Sequence, residues 1–161
     1  MLYFGSFKDI DTTKYYKVVL AVRHLQHPVK GDNVIHAPVL APSAYLVAKI
    51  RKEKEAGTFD YPMWRAVFVA EYMSELIASV NAQKTLINLY KAGCEKDILV
   101  CCYCPDDTVC HRSVIQGLMQ GRGRKQNNDV VVSDKDYSYF YDDFRRLVDY
   151  KIKQHQIRPN S

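Results

Sequence analysis

The segment Leu99-Val-Cys-Cys-Tyr-Cys-Pro-Asp-Asp-Thr-Val-Cys-His-Arg-Ser-Val-Ile115 places four of the chain's five cysteines, together with His111 and Arg112, within twelve residues. Thiolates are nucleophiles and metal ligands, and a guanidinium grips carboxylates and phosphates through paired N–H groups. Three chemistries fit this run. In the first, Cys104 or Cys110 is a nucleophile whose thiol is acidified by a helix N-terminus and neighbouring cations, with His111 or His24 as base. In the second, Cys101 and Cys104, spaced C-x-x-C, join Cys110 and His111 around zinc. In the third, the cysteines are small buried hydrophobes and His111 is a hydrogen-bonded capping residue. Cys101 falls within a strand pattern and is expected in the core. Cys94 follows a glycine at a helix end and is expected to be incidental.

Positioning these residues requires two strands and a helix. Lys17-Val-Val-Leu-Ala-Val-Arg23 and the run from Asp97 to Tyr103 are apolar, short and rich in β-branched residues, as buried strands are. If they are parallel neighbours, Arg23-His24 and Cys102-Tyr103-Cys104 emerge together at the carboxyl edge, where open α/β sheets bind ligands. A helix beginning at Cys110 or His111 then aims its free N–H groups and dipole at the same edge. Arg23 and Arg112 add donors for a phosphate or carboxylate. An arginine in a first helical turn opposes the dipole, so Arg112 calls for an anionic partner, either a ligand or Asp106 or Asp107. His27 and His36 lie on a loop expected between His24 and about Leu40.

The remaining pattern supplies the frame. Ser43 caps a helix that Gly57 stops. A second helix starts at Pro62, breaks near Asn81 and ends at Gly93. The helix from Cys110 or His111 closes near Gly121, and 121–128 is the most flexible-looking stretch. Asp129–Ser133 forms a short strand. Tyr137 to about His155 forms an amphipathic helix with Phe140, Tyr141, Phe144, Leu147, Val148 and Ile152 inward, followed by a frayed tail. Strands alternating with helices imply a single α/β domain over residues 1–161: a three-layer, mainly parallel, Rossmann-like sheet with helices on both faces.

The chain of 161 residues carries a net charge of +5, which favours anionic ligands without requiring nucleic acid. An odd, clustered set of cysteines argues against a secreted disulfide framework and for a reducing cytoplasm. The first residues lack the pattern of a signal peptide, and no apolar run approaches the roughly 20 residues of a membrane span. There is no Gly-x-Gly-x-x-Gly, phosphate-binding Walker loop or Gly-x-Ser-x-Gly. Arg122-Gly-Arg-Lys125 suits either a solvated turn or a phosphate clamp.

Val22-Arg23, Leu40-Ala-Pro-Ser43 and Leu99-Val-Cys-Cys-Tyr-Cys104 followed by Cys110-His-Arg112 together resemble the bacterial domains grouped as domain-of-unknown-function family 488. The resemblance spans about residues 17 to 120. It implies an α/β fold and marks Arg23, Cys102, Cys110, His111 and Arg112. The acidic position of the family's strand-end element appears here as Cys104, so a thiol stands where a carboxylate would be. Phage-encoded proteins with Cys-x-Cys before a Cys-His pair offer a second likeness. The resulting expectation is a pocket for an anionic, nucleotide-like ligand, with catalytic residues Cys104, Cys110 and His111 and ligand-binding residues Arg23, His24, Cys102, Tyr103 and Arg112. If it is an enzyme, it is a hydrolase or transferase acting on a nucleotide or nucleoside. The alternatives are a non-catalytic protein that sequesters a nucleotide, as a viral accessory protein would, and a zinc-stabilised interaction module. No cofactor is required, with zinc the one metal considered. The expected partners are a small anionic or nucleotide ligand and, as an option, further copies of the chain, but no membrane.

Overall fold

β4 (Ile98–Cys102) is apolar and buried at every position, as befits a strand with neighbours on both sides and cover on both faces. It lies within a four-stranded, all-parallel sheet of order β1-β4-β2-β3, where β1 is Leu2–Ser6, β2 is Lys17–Leu20 and β3 is Val34–His36. The computed structural model describes residues 1–8, 10–29 and 31–159. β2 and β4 are parallel neighbours, with Val18 opposite Leu99 and Leu20 opposite Cys101. Their carboxyl ends therefore emerge side by side, as the sequence pattern required. With its helices, the sheet makes an α/β fold consistent with a three-layer arrangement.

β1 and β3 were not expected. β1 is buried only at Leu2 and half-buried beyond it, and β3 has three residues. Asp129–Ser133 is not a strand. It contributes one parallel bridge, Leu2 to Val131, fixed by Leu2 N donating to Val130 O at 2.6 Å and Val132 N donating to Leu2 O at 2.9 Å.

α1 (Ala44–Glu55) is capped by Ser43, whose Oγ accepts from Leu46 N at 3.1 Å. Gly57 follows with φ +72°, a left-handed conformation suited to glycine. α2 (Tyr61–Met63) passes through a π-helical stretch, Trp64–Val69, into α3 (Ala70–Ala78). The break falls at Ser79, whose side chain caps α4 (Val80–Glu95) by accepting from Ala82 N. α5 is His111–Lys125 and α6 is Tyr139–Lys153. Of the inward face expected for α6, only Phe140 is fully buried.

Gly93 and Gly121, expected to stop helices, instead bring elements together, as does Gly117. Gly93 lies inside α4, where a Cβ would sit 2.5 Å from Leu2 Cγ. Gly117 and Gly121 lie inside α5, where a Cβ would fall 2.1 Å from Tyr137 O and 2.1 Å from Tyr141 Cβ. Helical geometry therefore continues through Gly121 to Lys125, where a flexible segment was expected. The end of the tail, residues 160–161, lies outside the described residues. Among the described residues, no helix is long and apolar enough to cross a membrane.

Candidate functional site

Strand parity separates Cys101 from Cys102. Adjacent residues of β4 point to opposite faces. Cys101 is buried with its Sγ 3.7 Å from Val19 O, while Cys102 turns toward α5, its Sγ 3.3 Å from Cys110 Sγ. Cys104, two residues further on, lies on the exposed loop. The sulfurs of Cys102, Cys104 and Cys110 all lie within 4.8 Å of one another, so the motif is Cys-x-Cys followed by the N-cap of α5. Of the residues in the zinc reading, Cys101 lies in the core as expected, and Cys102 takes its place beside Cys104 and Cys110.

Cys110 is the N-cap of α5, and Ser113 Oγ donates to its carbonyl at 2.7 Å. His111 is buried, with Nε2 2.6 Å from Ala21 O just beyond β2. A carbonyl only accepts, so Nε2 carries the proton and Nδ1 faces Cys110 Sγ at 3.6 Å as an acceptor. Burial holds the imidazole below its ordinary pKa, which keeps the ring neutral. An aromatic ladder supports it. Trp64, Phe68 and Tyr72, spaced four apart, stack successively, and Tyr72 meets His111 edge-on at 5.7 Å.

Arg112 is 4 % exposed. Its Nη1 donates to Cys102 Sγ at 3.3 Å and to Cys104 O at 3.1 Å. It pairs with neither Asp106 nor Asp107, as had been an option. Asp106 accepts from Thr108 N and Oγ1, and Asp107 anchors the loop through Lys135 Nζ at 2.7 Å and Tyr137 Oη at 3.1 Å. Among the described residues, no carboxylate pairs with Arg112. A buried cation without a counter-charge is costly, and the sulfurs are the groups able to supply one. Hydrogen bonding to the Cys102 and Cys110 sulfurs, with the Arg112 charge nearby, draws the Cys104 thiol well below its ordinary 9.0. Cys102 and Cys110 move upward, both chiefly through sulfur–sulfur hydrogen bonds. The cluster therefore favours negative charge on the exposed sulfur of Cys104, beside two buried thiols and a guanidinium bonded to Cys102 Sγ and Cys104 O.

The other sequence candidates surround this triangle at varying depth. Arg23 is exposed, its Nε donating to Pro42 O at 3.0 Å. His24 is exposed. Tyr103 is half-buried, edge-on to Phe7, and its hydroxyl accepts from Gln26 N at 3.2 Å. His36 closes β3 and lies 2.7 Å from Val22 O. His111, His36 and Arg23 thus engage or extend from three consecutive residues, 21–23, and hold the end of β2 beside the sulfurs.

Two contributors escaped the sequence reading. Tyr72 is fully buried, donates to Leu40 O at 2.6 Å and packs on His111. Glu75, one turn later, accepts from Ser43 N at 2.9 Å. The available signal was a tyrosine and a carboxylate three apart on a helix face otherwise apolar.

The fold and the site together define a small α/β domain with a cysteine triad at the carboxyl edge of a parallel sheet. The chain belongs to the DUF488-N3a family, described as the active DUF488-N3 subclade, whose model matches residues 7–123. The matched span includes β2, β3, β4, the sulfur triangle and nearly all of α5. Comparison with curated proteins and with solved structures finds no match.

Proposed function

We propose that this protein is a thiolate-dependent transferase or hydrolase acting on a small anionic substrate of nucleotide or nucleoside type, in the cytoplasm. The observation that carries the reading is Arg112, buried and directed at the sulfur triangle with no carboxylate partner. Such a charge is tolerated when a permanent anion faces it, and a permanent thiolate on an exposed loop is an activated nucleophile. Cys104 Sγ attacks the electrophilic centre, and the leaving group departs with the bonding electron pair. Water or an acceptor then breaks the thio-linked intermediate and returns the thiolate. Cys102 and Cys110 position that sulfur, and neutral His111 fixes Cys110. Arg23 and His24, exposed just beyond the end of β2, are the residues to bind a substrate phosphate. Five free cysteines suit a reducing compartment.

The test is turnover of a nucleotide and nucleoside panel followed by intact-mass analysis. Substrate consumption with a transient adduct on Cys104, both lost in Cys104→Ser, supports the reading. Stoichiometric recovery of unchanged ligand from an adduct-free protein contradicts it and favours sequestration.

The three-sulfur grouping favours a second reading, a metal site, and the cysteine triad could bind a metal. Three protein donors leave a fourth tetrahedral position open, as in a catalytic rather than a closed structural zinc site. Arg112 beside the sulfurs works against a dication. About one equivalent of zinc in protein purified without added metal decides for this reading; a metal-free folded protein decides against it.

A further inference from the structure

The cations at the far end of α5 and an open groove beside them play no part in the chemistry at Cys104. The groove, about 450 Å³, lies between α4, α5 and α6. Its floor is apolar: Leu86 from α4, Leu118 and Met119 from α5, and Phe144 from α6. Its rim carries Lys91, Arg122 and Arg145, one cation from each helix. The groove adjoins a second hollow through Tyr141 and Arg145, and Lys125 lines that hollow with Asp142 as its one carboxylate. At about 1.5 Å per residue, Arg122 lies roughly 16 Å along α5 from His111, so the groove is separate from the sulfur triangle.

The helix dipole accounts for basic residues in the last turn of α5, and Arg124 is already engaged by Asp136 at 2.8 Å. Neither fact accounts for Lys91 or Arg145, which belong to other helices. Lys91, Lys125 and Arg145 form no ion pair among the described residues. Arg122 meets only neutral oxygen. With the Gln126 amide turned so that its nitrogen donates to Tyr90 Oη at 3.2 Å, its oxygen accepts from Arg122 Nε at 3.2 Å and Nη2 at 3.0 Å. Tyr141, seated against Gly121, keeps a buried hydroxyl with no hydrogen-bond partner among the described residues. An apolar floor beside cations converging from three helices is the pattern of a site for a ligand that joins an apolar body to negative charge.

We propose that this groove binds a nucleoside polyphosphate, its base on the apolar floor against Phe144 and Tyr141 and its phosphates among Arg122, Lys125 and Arg145. The occupant must join an apolar, flat body to clustered negative charge. The groove is open-sided rather than a closed tunnel, which suits a stacked ring better than an acyl chain. Tyr90 and Gln126 offer a polar wall for the edge of a base. The proposal is independent of the reaction at Cys104.

The experiment is calorimetric titration of the full chain with ATP, GTP, inorganic tripolyphosphate and an acyl phosphate at about 0.15 M salt. It compares the wild type, Arg122→Glu/Arg145→Glu and Cys104→Ser. The proposal expects one nucleotide to bind more tightly than tripolyphosphate. It expects the double charge reversal to weaken that binding at least tenfold and Cys104→Ser to leave it unchanged. Unaltered Cys104 alkylation in the double variant shows that its fold is intact. Four results overturn the proposal: no nucleotide binding, equal binding of tripolyphosphate, tighter binding of the acyl phosphate, or an affinity that survives charge reversal. Nucleotide binding lost only in Cys104→Ser likewise overturns it, while leaving the reading of the cysteine site standing.

Discussion

The two ends of α5 both carry arginine, and the contrast between them locates the chemistry. At the C-terminal end, Arg122, Arg124 and Lys125 are exposed and sit where the helix dipole favours cations. Solvation and the dipole suffice to hold them there. At the N-terminal end, Arg112 is buried and sits where the dipole opposes it. Nothing about the helix favours that placement, so something beyond the helix must stabilise it, and the groups within reach are sulfurs and one carbonyl. A cation placed against both burial and dipole is evidence of an anion, whereas a cation at the favoured end is not.

The contrast breaks first at Arg112. Arg112→Gln keeps much of the shape but removes the charge. Loss of one partner of a buried ionic cluster is expected to cost about 3 kcal/mol at pH 7, read as a lower urea midpoint. The same change should raise the pH midpoint of Cys104 alkylation, as removal of a nearby opposite charge does. A variant within about 0.5 kcal/mol of the wild type, the range of an ordinary surface change, would show that Arg112 faces no buried anion.

A smaller effect follows pH. The folded pKa of Cys104 lies below its ordinary 9.0 and that of His111 below its ordinary 6.5. The stabilisation from each is complete above its unfolded pKa and is lost as pH falls toward the folded one. Cys101, pushed by burial to about 12, and Cys110, also raised, act in the opposite sense. Their contribution is present below 9 and declines as pH rises above it. Urea midpoints should therefore climb from pH 5 to about pH 8 and fall beyond pH 9. A protein more stable at pH 5 than at pH 8 would reverse the assigned charges.

The smallest effect belongs to the other end. Arg124→Gln removes an exposed pair with Asp136 and should change stability by less than about 1 kcal/mol. A loss as large as that from Arg112→Gln would erase the distinction between the two ends.

Much of this frame was legible in the residues. The β2 and β4 runs, the Ser43 cap, the start of α5 and the convergence at one sheet edge all follow from local patterns with a physical cause. Three kinds of feature did not. β1 includes Gly5 and half-exposed positions, and β3 is too short to show a period, so neither stands out from loop. Gly93 and Gly121 look like helix stops, because only the partner elements, Leu2 and Tyr141, reveal why a side chain is excluded there. Alternation could not set the direction of Cys101 and Cys102, because β4 is buried on both faces: the strand pattern put Cys101 in the core and the family resemblance marked Cys102, while the C-x-x-C spacing left Cys101 open as a zinc ligand. The ladder from Trp64 to Tyr72 gave no hint that it ends on His111.

Alkylation of the native protein with iodoacetamide, followed by peptide mass analysis from pH 4 to pH 9, tests the central claim most directly. Cys104 should react first and at a rate nearly independent of pH across pH 5 to 8, while Cys101 stays unmodified until the chain is unfolded. A Cys104 rate that falls about tenfold per unit below its ordinary pKa, as for a free thiol, would contradict a standing thiolate beside Arg112.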